Sequence, residues 1–191
     1  MEPILIFAGA FLLTYFTIPK IIALVKYKDL LDAPNVRSSH LKHTPTLGGI
    51  AFYFTLMFSL FFLKDYDVTK VVYNIIPGLT ILFIFGLKDD LVILSPISKL
   101  FAQIVAVSFI LINDSFLINS LNGFLTLQEI PNWIAFFISG FLMILVINAY
   151  NLIDGIDGLA AGIGIVISSV YLVIFYFLKM EFYVYLSLIL I

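Results

Sequence analysis

Long apolar runs separated by short polar segments set the pattern of this chain. Six runs are long enough to predict membrane-crossing helices, and they cover residues 4–25, 47–63, 71–87, 97–113, 133–150 and 159–178. A seventh run begins at Phe182 and reaches Ile191 after ten residues, about half of a crossing. The pattern predicts an all-α, polytopic membrane helix bundle with six complete transmembrane helices and a partial seventh.

Basic residues predict the orientation of this bundle. With the N-terminus outside, the cytoplasmic side holds seven Lys and Arg side chains, namely Lys20, Lys26, Lys28, Arg37, Lys42, Lys88 and Lys99. The outer side then holds only Lys64, Lys70 and Lys179. This distribution follows the positive-inside rule, so we expect the first, third and fifth helices to end at the cytosol.

The segment between the fourth and fifth runs carries a β signal. Asn122-Gly123 lies between apolar residues, which is typical of a tight hairpin turn. Trp133 follows at a position typical of interfacial aromatic residues. We expect a short β-hairpin on the outer face.

Composition supports an integral membrane protein. The chain is 62% hydrophobic and 12% charged, whereas about a quarter of the residues of soluble domains are charged. The net charge of −2 indicates no nucleic-acid partner, and the lipid bilayer is the expected environment. With no cysteine there is no disulfide and no thiolate metal site. Because a seventh run that stops at mid-membrane would be costly, we expect residues 1–191 to be a single integral-membrane domain, the N-terminal portion of a longer protein.

The first polar cluster joins the first and second runs on the predicted cytoplasmic side. Arg37 is suited to bidentate contact with a phosphate, and the hydroxyls of Thr44 and Thr46 can donate to one. His40 is a further candidate for substrate binding. A zinc site formed by His40 and His43 is not expected, because both lie among prolines without further ligands.

The second cluster is Gly86-Leu-Lys-Asp-Asp90, at the end of the third run. A helix C-terminus carries partial negative charge, so the adjacent carboxylates of Asp89 and Asp90 are unfavourable there by several tenths of a kcal/mol each. A divalent cation or Lys88 could compensate. A surface pair hydrated by water is the alternative.

The third cluster repeats a polar residue at every third position after the fifth run: Asn148, Asn151, Asp154 and Asp157. On an α-helix this spacing drifts by about 60° per step, so the four side chains would fan across one side. Glycines at 155 and 158 loosen the helix and allow a ligand to approach the backbone. The alternative is a solvated loop with ordinary turn residues.

If the third and fifth helices pack together, four carboxylates converge: Asp89, Asp90, Asp154 and Asp157. A Mg²⁺ ion, which prefers carboxylates and substrate phosphates, would make this cluster tolerable, and Mn²⁺ is the alternative metal. Lys99 and Gln103, one turn apart, could add a phosphate contact, although Lys99 could equally be an interfacial anchor. The combination suggests phosphoryl transfer that involves a lipid phosphate.

Three motifs resemble those of a known family. These are D-x-P-x-x-R-x-x-H followed by T-P-T-x-G-G, then G-L-K-D-D, then N-x-x-N-L-x-D-G-x-D-G-L-A, in the order of the helices. They are similar to the motifs of polyprenyl-phosphate N-acetylhexosamine-1-phosphate transferases of glycosyl transferase family 4, which start O-antigen, teichoic-acid and peptidoglycan lipid intermediates. The first motif is more similar to the N-acetylglucosamine branch than to the muramoyl-pentapeptide branch.

The resemblance implies a Mg²⁺-dependent transfer of a sugar 1-phosphate from a UDP-N-acetylhexosamine to undecaprenyl phosphate, with release of UMP. It implies an active site on the cytoplasmic face of the bacterial inner membrane and leaves a homodimer open. Asp89 and Asp90 would be the essential acids, with Asp89 deprotonating the lipid phosphate, and Lys99 would hold phosphate. Asn151, Asp154 and Asp157 would line the nucleotide and metal region.

The resemblance is incomplete. The family's later glycine-aspartate motif and its later His-rich loop are not found by Ile191, so residues 1–191 are expected to be inactive alone. A transporter for a cation or polar solute is the main alternative, but it predicts charged residues near mid-helix rather than at helix ends. A CDP-alcohol phosphotransferase is disfavoured because 157–162 contains no arginine, and a non-catalytic membrane scaffold is the remaining alternative.

Overall fold

The computed structural model of the chain describes residues 2–32, 44–63, 69–121, 129–156 and 158–191. Helices dominate these ranges and confirm the predicted all-α class. The helices are α1 (Glu2–Tyr27), α2 (Gly49–Phe62), α3 (Thr69–Leu91), α4 (Pro96–Leu111), α5 (Asn132–Ile153), α6 (Leu159–Phe177) and α7 (Glu181–Leu190), with a 3₁₀ turn at Asp114–Phe116.

Helix length separates two groups. Four helices are long and apolar enough to cross a membrane, and these are α1, α3, α5 and α6. The helices α2, α4 and α7 are apolar but shorter, with 14, 16 and 10 residues. A crossing takes about 20 residues. Helix length therefore supports a multi-pass membrane protein with four candidate spans and does not support the predicted count of six complete crossings.

Extended structure is limited to one short pairing in the described residues. The strands β1 (Leu31–Asp32) and β2 (Thr44–Pro45) pair antiparallel, with Leu31 opposite Pro45. They bracket residues 33–43, which hold Arg37 and His40 and lie outside the described residues.

The predicted outer hairpin is not supported. Its turn, Asn122-Gly123, lies outside the described residues, and the described flanks at 119–121 and 129–131 contain no strand. One backbone bond closes this segment, because Ile130 N–H donates to Asn119 O over 2.9 Å. Immediately afterwards the Pro131 carbonyl accepts from two N–H groups of α5, so the chain enters the helix instead of continuing as a strand.

The chain divides into two compact units. Unit 1 comprises residues 1–68 and 153–191, and unit 2 comprises Thr69–Leu152. The sequence-based prediction of one integral-membrane domain stays a prediction.

Small residues allow close helix packing in unit 1. Ala51, Thr55 and Ser59 recur every four residues along α2 and are buried. The Thr14 hydroxyl of α1 donates to the Thr55 hydroxyl over 3.1 Å. Without water in a bilayer to satisfy it, a hydroxyl on one helix is best paired with a neighbouring helix. The α1–α2 contact therefore combines a face of small residues with a hydrogen bond between the helices.

Aromatic stacking joins α7 to α6 in the same unit. The rings of Phe175 and Tyr183 stack with their centroids 4.9 Å apart. Phe182 and Tyr185 are buried, and the Tyr185 hydroxyl lies 3.5 Å from a carboxylate oxygen of Glu2 on α1. The short helix α7 is thus an integrated part of unit 1.

Helix α4 forms the centre of unit 2. Its residues Ala102, Ala106, Val107 and Leu111 are buried. Against α3 the approach is closest at Gly78, where an added Cβ would lie 2.7 Å from the Ala106 carbonyl oxygen. Against α5 the nearest glycine is Gly140, where an added Cβ would lie 3.4 Å from Leu111 Cδ1. Only glycine fits at the α3–α4 contact without displacing backbone.

We expect Gly78→Ala to lower the free energy of unfolding by roughly 1–3 kcal/mol, because the methyl group overpacks the α3–α4 contact. Gly86→Ala is the matched control on the same helix, since a Cβ there meets nothing within 4 Å. It should be neutral or stabilise by up to about 1 kcal/mol through helix propensity. Thermal unfolding in detergent, followed by Trp133 fluorescence, measures both, and equal effects would contradict the close approach.

Candidate active site

The carboxylate of Asp89 is held on both oxygens. Asp89 lies in the last turn of α3, where its Oδ1 accepts from Leu94 N–H over 2.9 Å. Its Oδ2 forms an ion pair of 2.7 Å with Lys99 Nζ. Lys99 therefore supplies positive charge to this carboxylate at the negative helix end, where the sequence had suggested a divalent cation or Lys88.

The connection between α3 and α4 places Lys99 beside Asp89. Ser95 caps α4 by accepting from Ser98 N–H over 3.2 Å, and Pro96 follows at the first helical position, as is favourable at a helix start. Lys99 therefore lies in the first turn of α4. Because Gly78 meets Ala106 farther along, α3 and α4 run antiparallel and the end of one meets the start of the other.

An amide pair joins α4 to α5. Asn148 Nδ2 donates to Gln103 Oε1 over 2.8 Å, and Gln103 Nε2 donates to Asn148 Oδ1 over 3.3 Å. Gln103 is one turn after Lys99 and on the same helix side. Asn151 is three residues after Asn148 on α5 and is exposed. The structure therefore brings Asp89, Lys99, Gln103 and Asn148 into one polar row across three helices.

Apolar side chains surround the acidic end of α3. Ile93, in the connection to α4, is 94% exposed, and Ile97 in the first turn of α4 is 81% exposed. Asp90 is exposed beside Asp89. Carboxylates, a lysine and exposed apolar side chains thus occur together, an arrangement suited to a charged group attached to a lipid.

The last two residues of the third cluster follow the end of α5 in the sequence. Asp154 lies in the turn that follows α5 and belongs to unit 1. The prediction that it continues the helical side of Asn148 and Asn151 is wrong, because α5 ends at Ile153. The chain then turns, and Gly158 adopts the left-handed conformation (φ 73°) before α6. Asp157 lies outside the described residues.

The threonines of the first cluster lie near the β pairing. Thr44 is in β2. Thr46 Oγ1 donates to the Leu30 carbonyl over 2.9 Å, so this hydroxyl ties the chain after β2 to the chain before β1. Its role in the structure is to close the base of the segment that carries Arg37 and His40.

Comparison with known proteins identifies the family. A family model described as glycosyl transferase family 4 matches residues 72–191, which is more than half of the 191-residue chain. The chain belongs to glycosyl transferase family 4. The match covers α4, α5, α6 and α7 in full and α3 from Val72 onward, and so includes every residue of the polar row.

Curated relatives of this family 4 chain carry transferase names. It is 29% identical over 157 residues to the probable undecaprenyl-phosphate N-acetylglucosaminyl 1-phosphate transferase of Bacillus subtilis, covering 81% of this chain and 43% of that protein. It is 29% identical over 168 residues to the decaprenyl-phosphate N-acetylglucosaminephosphotransferase of Mycobacterium leprae, covering 82% and 42%. The undecaprenyl-phosphate alpha-N-acetylglucosaminyl 1-phosphate transferase of Escherichia coli K12 is 28% identical over 141 residues, covering 74% and 38%.

The chain spans about two fifths of the length of these family 4 relatives. No solved structure matches it significantly.

Metal binding in this family 4 chain stays a prediction. Within the described ranges no three His, Asp or Glu side chains form a group that could hold a metal ion. Of the four predicted metal ligands, Asp89 and Asp90 lie in unit 2, Asp154 lies in unit 1 and Asp157 is not described. Carboxylate oxygens remain the appropriate donors for Mg²⁺.

The sequence did not predict which side chains of the polar row bind one another in this family 4 site. Gln103 was expected to contact phosphate, yet its amide binds Asn148. The Leu94 backbone contact to Asp89 has no sequence signal, because every residue type except proline supplies a backbone N–H. The four-residue spacing of Lys99 and Gln103 was the signal available, since it puts both on one side of α4.

We expect the Asp89–Lys99 ion pair to contribute little to stability, because the two side chains are 27% and 41% exposed. A double-mutant cycle with Asp89→Asn and Lys99→Gln should give a coupling of about 0.2–1 kcal/mol in thermal unfolding. The matched cycle with Lys88→Gln should give less, because Lys88 points about 100° away around α3. Larger coupling to Lys88 than to Lys99 would contradict the pairing.

Proposed function

We propose that this protein transfers an N-acetylhexosamine 1-phosphate from a UDP-sugar to undecaprenyl phosphate and releases UMP. The reaction would be the first membrane step of cell-envelope polysaccharide synthesis. The observation that carries this proposal is the polar row at the ends of α3 and α4, found within a match to glycosyl transferase family 4. The names of the relatives, all transferases acting on polyprenyl phosphates, support the choice of acceptor.

The proposed chemistry joins two anionic substrates. An oxygen of the lipid phosphate attacks the β-phosphorus of the UDP-sugar, and the bond from that phosphorus to the oxygen of UMP breaks. Asp89 takes the proton of the lipid phosphate and thereby increases its nucleophilicity. Lys99, already at the carboxylate of Asp89, supplies positive charge where the phosphates meet, and Arg37 is proposed to hold a phosphate bidentately.

Mg²⁺, or alternatively Mn²⁺, is the proposed cofactor. The carboxylates of Asp89, Asp90, Asp154 and Asp157 are its proposed ligands, because hard divalent cations prefer oxygen donors. When bound, the ion would neutralise charge on the transferred phosphoryl group. The proposed nucleotide-binding residues are Asn151 and Asp154, with Thr44, Thr46 and His40 at the sugar or phosphate.

The proposed topology has six crossings with the N-terminus outside and the site on the cytoplasmic face of a bacterial inner membrane. The positive-inside rule supports this orientation. At 1.5 Å per residue, α2 and α4 are about 21 and 24 Å long, so both would need local thinning of the roughly 30 Å hydrocarbon layer. A homodimer and a short outer hairpin at Asn122-Gly123 remain further predictions.

The position of the acids supports an enzyme over a transporter. Asp89 and Asp90 lie in the last turn of α3, and Asp154 follows the end of α5. Acids of a cation pathway are expected within the helices, facing a water-filled cavity. An ion-paired carboxylate at a helix end is suited to a reaction at the membrane surface.

The test of activity uses the full-length protein. We expect release of UMP from UDP-N-acetylglucosamine and undecaprenyl phosphate with Mg²⁺, and loss of that release with chelator. Asp89→Asn should lower kcat by at least about 100-fold, because it removes the proposed general base. Glu129→Gln, in the loop before α5, is the control and should retain activity. Turnover without metal, or an unimpaired Asp89→Asn, would contradict the proposal.

The topology is tested by cysteine labelling, since the chain contains no cysteine. An impermeant maleimide should label Glu129→Cys in intact cells. Lys28→Cys, just after α1, should be labelled only after the membrane is permeabilised. Labelling of both residues in intact cells, or of Lys28→Cys alone, would contradict the six-crossing orientation.

A further inference from the structure

The orientation of the Gln103–Asn148 pair is determined by a third contact. Asn148 Nδ2 also donates to the carbonyl oxygen of Ile144, one turn earlier on α5, over 2.8 Å. A carbonyl accepts only from a donor, so the NH₂ end of Asn148 must face Ile144 and Gln103 Oε1. The other side of the Asn148 amide then accepts from Gln103. The two amides are therefore matched donor to acceptor in both directions.

This arrangement uses both N–H donors of Asn148. One N–H binds Ile144 O and the other binds Gln103 Oε1. An asparagine amide has two N–H donors and one carbonyl oxygen. Asn148 therefore cannot donate to a phosphate or a uracil carbonyl without breaking one of these bonds. Its chemistry is that of a structural tie, which differs from the substrate-binding role expected from its sequence position.

The amide pair lies in register with the apolar contact between the same two helices. Gln103 is eight residues before Leu111 on α4, and Asn148 is eight residues after Gly140 on α5. Leu111 contacts the Gly140 position, so α4 and α5 run antiparallel with two contacts about 12 Å apart. The contact at Gly140 is apolar, whereas the contact nearer Lys99 is the amide pair.

We propose that Gln103 and Asn148 are positioning residues that clamp α4 to α5 and thereby hold Lys99 and Asn151 at a defined separation. This inference rests on the proposed function for its catalytic consequence. Lys99 precedes Gln103 by one turn, and Asn151 follows Asn148 by three residues, so each partner of the clamp adjoins one proposed substrate-binding side chain. Small displacements of such groups are costly, because phosphoryl transfer depends on positioning.

Kinetics of the full chain test the clamp. Gln103→Leu and Asn148→Leu should each lower kcat by about tenfold or more, and the double variant should be no worse than either single variant, because both remove one interaction. The exchange variant Gln103→Asn with Asn148→Gln keeps the combined length of the two amides and should recover activity to within about threefold of wild type. Ser108→Ala is the control on α4, because the Ser108 hydroxyl donates within its own helix, to Ile104 O.

The opposite kinetic pattern would overturn the inference. If Asn148 binds substrate directly, Asn148→Leu should raise KM for the UDP-sugar more than Gln103→Leu does. The losses would then add in the double variant, and the exchange variant would remain impaired.

A measurement that needs no activity separates failure of the clamp from failure of the proposed function. With Gln103→Cys and Asn148→Cys in the otherwise cysteine-free chain, a short bifunctional thiol reagent should cross-link α4 to α5. The pair Gln103→Cys with Val146→Cys is the control, because Val146 is about 200° from Asn148 around α5 and 63% exposed. Cross-linking without UMP release from wild type would reject the proposed function and retain the clamp, and equal cross-linking of both pairs would reject the clamp.

Discussion

The ion pair between Asp89 and Lys99 is the interaction on which the candidate site depends. Acidic side chains at a helix C-terminus face the negative end of the helix dipole, and two adjacent acids repel each other as well. In this protein the first turn of α4 supplies the positive charge, and the backbone of the connecting segment supplies a hydrogen bond to the same carboxylate. The Asp89 carboxylate is thus oriented by neighbours that are close in sequence.

This interaction requires the close packing of α3 on α4. The absence of a side chain at Gly78 lets the two backbones approach, and the cap formed by Ser95 with Pro96 starts α4 at the right residue. Both features are local. Together they bring the N-terminal end of α4 to the acidic end of α3. The second neighbour of α4 is α5, which brings its own polar residues through the amide pair. Site geometry therefore derives from one central helix with two partners.

Hydrophobic pattern predicted the helices well, because an uninterrupted apolar run has few alternatives in a membrane. The expected fifth span at 133–150 corresponds to α5 at Asn132–Ile153, and the expected fourth at 97–113 corresponds to α4 at Pro96–Leu111. The acidic motif at Asp89 was located from its residues alone. Three features were not predictable: the partner of Lys99, the amide pair and the end of α5 before Asp154. The first two depend on tertiary packing, and the third depends on how a glycine-rich segment turns after the helix.

The exposed side chains of Ile93 and Ile97 have a consequence for the depth of Asp89 in a membrane. Removing either side chain from water is favourable by about 1.5–3 kcal/mol. The segment around Asp89 is therefore most stable with both side chains in the acyl layer of a membrane. The carboxylate would then rest at the depth of lipid phosphates instead of above them. The two isoleucines would therefore set the depth at which the Asp89 carboxylate lies in a membrane.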